Sequence, residues 1–323
     1  MATNTDTGGR LFVIASFIEA HCWFVPRSPG VDESLQARAY LSECAGKGLA
    51  VALGGHRLGA EVGMLLGIGH DAAGDELLQL LAREGLDAAN VHRLGEHSGK
   101  GCGLVDAQGA AAIAIHAGAN ALLGEQQLKA CAAQLRQAAV VYAQLEAPLP
   151  LVAQALRAAR AAGAATVLNP SPWHEEDALD TALDAASVVI VNRSEAPLLL
   201  GRLAGARDDL GLDGLPQPLL EVLWRRWPGQ WLVITLGGQG CAAYSRDGQA
   251  LRLPAHPLRA VQPIGAGDAF SAGLCTALAR GRDMEEALRQ ANACGGLAAS
   301  RPGILQALPF AADLAALLLR GRI

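Results

Sequence analysis

The chain has 323 residues, of which 51% are hydrophobic and 18% charged, with a formal net charge of −5. That balance excludes a disordered chain and a binder that holds a polyanion by bulk positive charge. Aromatic residues are only 4%, against 38 glycines, which argues against a base-stacking nucleic-acid surface and for close packing with sites built from backbone.

Short apolar runs alternate with longer amphipathic stretches. Leu11–Ser16 reads as a buried strand, Gly48–Leu58 as a helix, Glu61–Gly67 as a strand and Asp75–Glu84 as a helix. The cycle repeats with strands at Ala139–Tyr142, Thr166–Leu168, Val188–Val191 and Trp231–Thr235, and helices at Leu151–Ala162 and Leu219–Trp227. Helical stretches follow at Ser271–Arg280, from Asp283 and from Pro309. This alternation implies βαβ crossovers and an α/β fold on a mainly parallel sheet. Two segments break the rhythm. Ile18–Leu41 and Gly95–His116 are extended and turn-punctuated, with no helix between their strands, and are expected to form a small β lid. With no repeat and no long linker, one domain over 1–323 is expected, its lid at about 18–45 and 95–116, with an exposed loop at Asp208–Pro218.

The seven cysteines are scattered and never spaced C-x-x-C, so they read as buried free thiols and not as a zinc site or disulfide framework. The opening Met1–Arg10 has no basic segment followed by an apolar one, and no uninterrupted apolar run reaches the length of about 18 residues that spans a membrane. A cytoplasmic protein without membrane or nucleic-acid partners is the expectation.

The element with most chemistry is Ile264-Gly265-Ala266-Gly267-Asp268-Ala269-Phe270, which runs into an apolar helix. A Gly-Ala-Gly turn at a helix start lets backbone N–H groups converge where the helix dipole favours negative charge. Asp268 directly after it is placed to take a proton from a hydroxyl beside that anion, which is what phosphoryl transfer to an alcohol requires. Taken alone, the motif also reads as a glycine turn with Asp268 as a helix cap. Asn192-Arg193-Ser194-Glu195 follows a strand at the carboxyl end, where α/β sheets place ligands. Glu195 there could hold hydrated Mg²⁺ and Asn192 reach a phosphate oxygen, or the four residues could simply cap a helix. Thr235-Leu236-Gly237-Gly238-Gln239-Gly240 follows another strand. Gly95…Gly99-Lys100 lacks both the spacing and the Ser/Thr of a P-loop, and no G-x-G-x-x-G follows the first strand, which disfavours a dehydrogenase.

In this order and at these separations, together with Ile115-His116-Ala117-Gly118-Ala119-Asn120, Gln144-Leu145-Glu146 and Leu168-Asn169-Pro170, the motifs resemble the ribokinase, or PfkB-type, carbohydrate kinase family. The resemblance runs from about Leu11 to Pro309. It implies a three-layer α/β/α fold with a β lid that often forms a dimer interface, and ATP- and Mg²⁺-dependent transfer of the γ-phosphoryl to a hydroxymethyl group. It further implies Asp268 as catalytic base, with Gly265, Ala266 and Gly267 as the anion hole. Asn192, Thr235, Gly237, Gly240, Gly267 and Asn292 fall at nucleotide-site positions, Glu195 at that of the magnesium-associated acid, and Gly46, Lys47 and Glu146 on the substrate side.

The departures from the family concern the acceptor. An Asn and an Asp expected in the first lid strand are Ile18 and Ala20, although a one-residue slip brings Glu19 into play, and the Asn of the Gly-Gly-Lys-Gly-x-Asn loop is Ala50. Three hydroxyl-reading groups are thus apolar, each worth about 0.5–1.5 kcal/mol of hydrogen bonding, so ribose is disfavoured. Lys100, at a usually apolar lid position, reads either as a replacement ligand for a carboxylate or phosphate or as a solvated lysine. Gln262 replaces an Asp, and Ala307 stands where a Ser could serve, in a monovalent-cation site, so weak or absent potassium activation is expected. His116, in the lid motif, reads as structural. The expected activity is ATP-dependent phosphorylation of a small sugar-like acceptor; the alternatives are a nucleoside kinase and a non-catalytic ligand-binding relative.

Overall fold

The computed structural model describes residues 9–108, 111–205, 214–262 and 264–320. Residues 1–8, residues 208–213 of the expected loop and Pro263 lie outside the described residues. Strand β1 (Arg10–Ile14) is followed by β2 (Ile18–Phe24), β3 (Ala39–Ala45) and helix α1 (Lys47–Arg57). Then come β4 (Glu61–Ile68), α2 (Ala72–Glu84), β5 (Val91–Arg93), β6 (Gly99–Val105) and β7 (Ala111–His116). Short helices α3 (Glu125–Ala130) and α4 (Ala132–Gln137) lead to β8 (Val140–Gln144), α5 (Leu149–Ala161) and β9 (Ala165–Asn169). After α6 (Ala178–Ala185), β10 (Val188–Asn192), α7 (Ala196–Ala204) and α8 (Gln217–Arg226), the strands end with β11 (Trp231–Thr235), β12 (Cys241–Ser245) and β13 (Ala250–Leu253). Helices α9 (Ala266–Ala279), α10 (Met284–Ala299) and α11 (Ala311–Arg320) follow.

Among the described residues, nine strands form the central sheet in the order β13-β12-β11-β10-β9-β8-β1-β4-β5. Its pairs are parallel from β11 through β5, and antiparallel only where β12 and β13 turn back at one edge. Alternation along β1 divides the core. Leu11 and Val13 face α1, α9 and α10, whereas Phe12 and Ile14 face the layer that includes α5, α6 and α7. A strand buried on both faces between two helical layers reads as a continuous apolar run, as β8 does from Val140 to Ala143 before the buried Gln144.

The small-residue bias is concentrated at α9. This helix is wedged between α1 and α10, and a Cβ on Gly273 would lie 2.9 Å from Ala291 Cα, while one on Gly54 of α1 would lie 2.8 Å from Ala272 Cβ. Larger residues would push the layers apart, so glycine and alanine here set how closely α9 approaches its neighbours.

The lid is the four-stranded sheet β3-β2-β6-β7. Its β2–β6 pair is parallel, so both expected lid segments interleave into one sheet. Helix α2 begins three residues before the expected start, because Asp71 caps it through Gly74 N–H. The edge strands β12 and β13 and the short helices α3, α4, α6 and α7 lacked a periodic signal long enough to read. Six cysteines are buried, but Cys102 is exposed, because it stands on the outward face of β6.

Candidate active site

A cavity of about 110 Å³ lies between the lid and the start of α9. Its floor is polar: Gly46, Lys47, Glu146, Gly265 and Asp268 line it. Gly46 has φ +119°, and a Cβ there would meet Ser16 O at 2.2 Å, so only glycine closes this approach of α1 to the end of β1. Gly265, with φ +82°, turns the chain into α9 and places Asp268 in its first turn, beside the positive end of the helix dipole.

Glu146 organises the floor. Its Oε2 accepts from Ser16 Oγ at 2.6 Å and from Lys47 N–H at 3.0 Å, and its Oε1 pairs with Lys47 Nζ at 3.1 Å. Its own N–H donates to the buried Gln144 Oε1. Ser16, fully buried, also accepts from Gly48 N–H at 3.4 Å. Ser16 went unrecognised in the sequence because a serine at a strand end carries no pattern of its own. Burial works against the Lys47 ammonium, but Glu146 and then Asp268 outweigh it and hold its pKa above the usual lysine value. Burial raises the Asp268 carboxyl; Lys47 pulls it down, Glu146 and Glu195 push it up again, and it stands at about 7. A carboxylate poised there is suited to general-base work near neutrality.

The remaining predicted residues sit around the ends of β10, β11 and β13. Asn192 and Thr235 are register partners on adjacent parallel strands. Asn192 Oδ1 accepts from the N–H groups of Ser194 and Glu195, each at 2.9 Å, and Glu195 Oε2 accepts from Asn192 N–H at 2.9 Å. These bonds close a turn ahead of α7, whose N-cap position is Glu195 without a side-chain cap bond, and Glu195 is still near enough to raise the Asp268 carboxyl. Arg193 bonds Gln239, tying this turn to the Gly237–Gln239 turn. A Cβ on Gly240 would strike Leu253 O at 2.0 Å, and Asn292 Nδ2 donates to Pro254 O at 3.1 Å. Gly240 and Asn292 thus converge on the same backbone, and Asn292 is held by it. Gly267 has open space around its Cα, as a backbone surface for a ligand requires.

Two acceptor-side expectations change. Lys100 does not enter the cavity, because alternation along β6 turns it to the outer lid face, where it pairs with Glu19. Glu19 is on that face for the same reason, so the one-residue slip is excluded, and Ile18 and Ala20 line the cavity. His116 lies with Lys100 and Trp23 along an outer groove of the lid. Ala50 is buried in α1, behind the floor. A surface groove of about 480 Å³ beside Trp224 and Arg246 contains none of the predicted residues.

A parallel α/β sheet with a carboxylate and a glycine turn at one helix start defines a phosphotransferase of the α/β kinase class. Residues 10–311 match the pfkB family of carbohydrate kinases, and the chain belongs to that family. The ribokinase of Haemophilus influenzae is 27% identical over 310 residues, covering 93% of this chain and 95% of that relative. The structure of Arabidopsis thaliana ribokinase complexed with ribose and ATP superposes with TM-score 0.83 at 23% identity, covering 97% of this chain and 99% of that one. The Burkholderia thailandensis nucleoside kinase in complex with inosine gives TM-score 0.79 at 22% identity, covering 96% and 97%. The chain is a phosphotransferase of the carbohydrate kinase family.

Proposed function

We propose that this kinase transfers the γ-phosphoryl of ATP to a hydroxymethyl group of a small sugar-like acceptor other than ribose. The observation that carries the reading is Asp268, set in the first turn of α9, facing the cavity and poised at about pH 7. Asp268 takes the hydroxyl proton as the oxygen attacks phosphorus. The Gly265-Ala266-Gly267 turn holds the charge that develops on the transferred group, and Lys47, anchored by Glu146, faces the same floor. Asn192, Thr235, Gly237, Gly240 and Asn292 frame the nucleotide.

Mg²⁺ fits this donor set only in company with phosphate. No group of three or more metal-ligating side chains occurs among the described residues. Glu195, with one carboxylate oxygen on Asn192 N–H, would hold the hydrated ion from the protein side. When bound, the ion neutralises charge on the nucleotide phosphates. The reading extends to a homodimer through the lid, where the edge strand β7 exposes Ile113 and Ile115, which also border the cavity.

ADP release screened across sugars, sugar acids and nucleosides tests this, with Asp268→Asn as the control. Turnover that survives the substitution overturns the base role.

A further inference from the structure

We propose that the acceptor is a primary alcohol carried on a compact apolar ring, with one further hydrogen-bond acceptor and no set of ring hydroxyls. The inference rests on the phosphotransfer reading of the same cavity and names its substrate class.

Hydrogen-bond capacity decides the matter. The cavity walls are Ile18, Ala20 and Cys22 from β2, Ala45 from β3, Ile113 and Ile115 from β7, and Ile264 and Ile304 from the body, while β6 contributes Gly101 and Gly103, which bring no side chain, and the thiol-bearing Cys102 at the rim. The polar side chains of the lid are used elsewhere. Glu19 and Lys100 pair on the outer face, His21 bonds Tyr40, and Glu43 accepts from Ile304 N–H at 2.7 Å. On the floor, both lone-pair positions of Glu146 Oε2 and one of Oε1 are occupied by Ser16 and Lys47. Asp268 serves the reacting hydroxyl, which leaves one lone pair of Glu146 and two N–H donors of Lys47. A pentose brings three hydroxyls beyond the reacting one, and against walls of isoleucine and alanine most of their donors would be buried without a partner. A ring bearing one hydroxymethyl and one acceptor atom meets every demand: the hydroxyl faces Asp268, the acceptor faces Lys47, and the ring carbons lie on the isoleucines.

Tetrahydrofurfuryl alcohol is the matched probe, since it keeps the five-membered ring, ring oxygen and hydroxymethyl of ribofuranose without the hydroxyls. ADP release by the full chain with ATP is compared for this alcohol, 2-deoxyribose and ribose. The expected order of kcat/KM places the stripped ring first, about tenfold or more above ribose, with deoxyribose between. Ile18→Asn, which gives the wall a hydroxyl partner, is expected to shift that ratio towards ribose by about tenfold. Ribose turned over as well as or better than the stripped ring overturns this inference and leaves the kinase reading standing. If no alcohol is turned over although ATP binds, the phosphotransfer reading fails. Calorimetry with a non-hydrolysable ATP analogue then decides the acceptor class: binding of the stripped ring and not of ribose supports it, and the reverse overturns it.

Discussion

Asp268, the base of the proposed reaction, shows how the environment moves an ordinary carboxyl towards neutrality. Burial raises it, and the nearby carboxylates of Glu146 and Glu195 keep it raised against the pull of Lys47, so it titrates at about 7. The active form is the ionised one, so kcat/KM is expected to fall about tenfold per pH unit below about 7, a limb that a pH–rate profile resolves. The sign for stability is opposite. The folded carboxyl binds its proton more tightly than the unfolded one, so this group favours folding at low pH and that contribution is lost as pH rises towards and through 7. Asp268→Asn is therefore expected to abolish turnover and yet raise Tm at pH 8, by about 2–4 °C for each kcal/mol of desolvation relieved. An unchanged or lower Tm at pH 8 would contradict the assigned burial. Gln262 makes a second prediction. Its Oε1 accepts from Gly303 N–H at 3.1 Å, and its buried Nε2 has no partner among the described residues. An amide whose oxygen is committed is a poor cation ligand, and Ala307 brings no side-chain oxygen. Rates in potassium and in sodium are expected to agree within about twofold; severalfold activation by potassium would show that the cation is held after all.

At the scale of elements, α9 does two jobs with one composition. Its first turn presents Gly265 to Asp268 to the cavity, and its remaining length is buried between α1 and α10. Gly273 lies where a Cβ would meet Ala291 Cα and Cys294 Sγ, both at 2.9 Å. Gly273→Val is expected to cost about 1–3 kcal/mol by overpacking, read as a lower denaturation midpoint. It is also expected to lower kcat, because the helix that carries Asp268 must shift. Stability within about 0.5 kcal/mol of the parent would mean that the helices yield at this contact.

Across the whole molecule, lid and body are joined at the cavity's rim. Glu43 reaches from β3 to Ile304 N–H at 2.7 Å, and Asn120 clasps Phe17 at the lid's root through Phe17 N–H at 2.9 Å and Phe17 O at 2.7 Å. A carboxylate bonded to a backbone N–H contributes about 1.5–3 kcal/mol. Glu43→Ala is therefore expected to raise the acceptor KM about tenfold while the ATP KM holds, since the residues proposed to frame the nucleotide lie at the ends of β10, β11 and β13, away from the lid. Parallel rises in both constants would place the lid's influence elsewhere. Sedimentation is expected to show a dimer that Ile113→Glu dissociates; a monomeric parent would remove the lid interface from the reading.

The sequence by itself determined the α/β alternation, the extended lid segments and the Gly-Ala-Gly-Asp turn. Each is a local matter, readable from the spacing of apolar residues and from what glycine allows the backbone. It also marked Ile18, Ala20 and Ala50 as apolar where polar groups were expected. It did not decide which of Glu19, Ala20 and Lys100 faces the cavity, because a strand's two faces differ only once the lid is packed. Nor did it reveal Ser16 as a ligand of Glu146, a contact between residues 130 positions apart. Only the tertiary structure turned Lys100 outward and closed Ile264 and Ile304 over the cavity. Facing is set by what lies on the other side of a sheet, and a linear pattern does not carry that information.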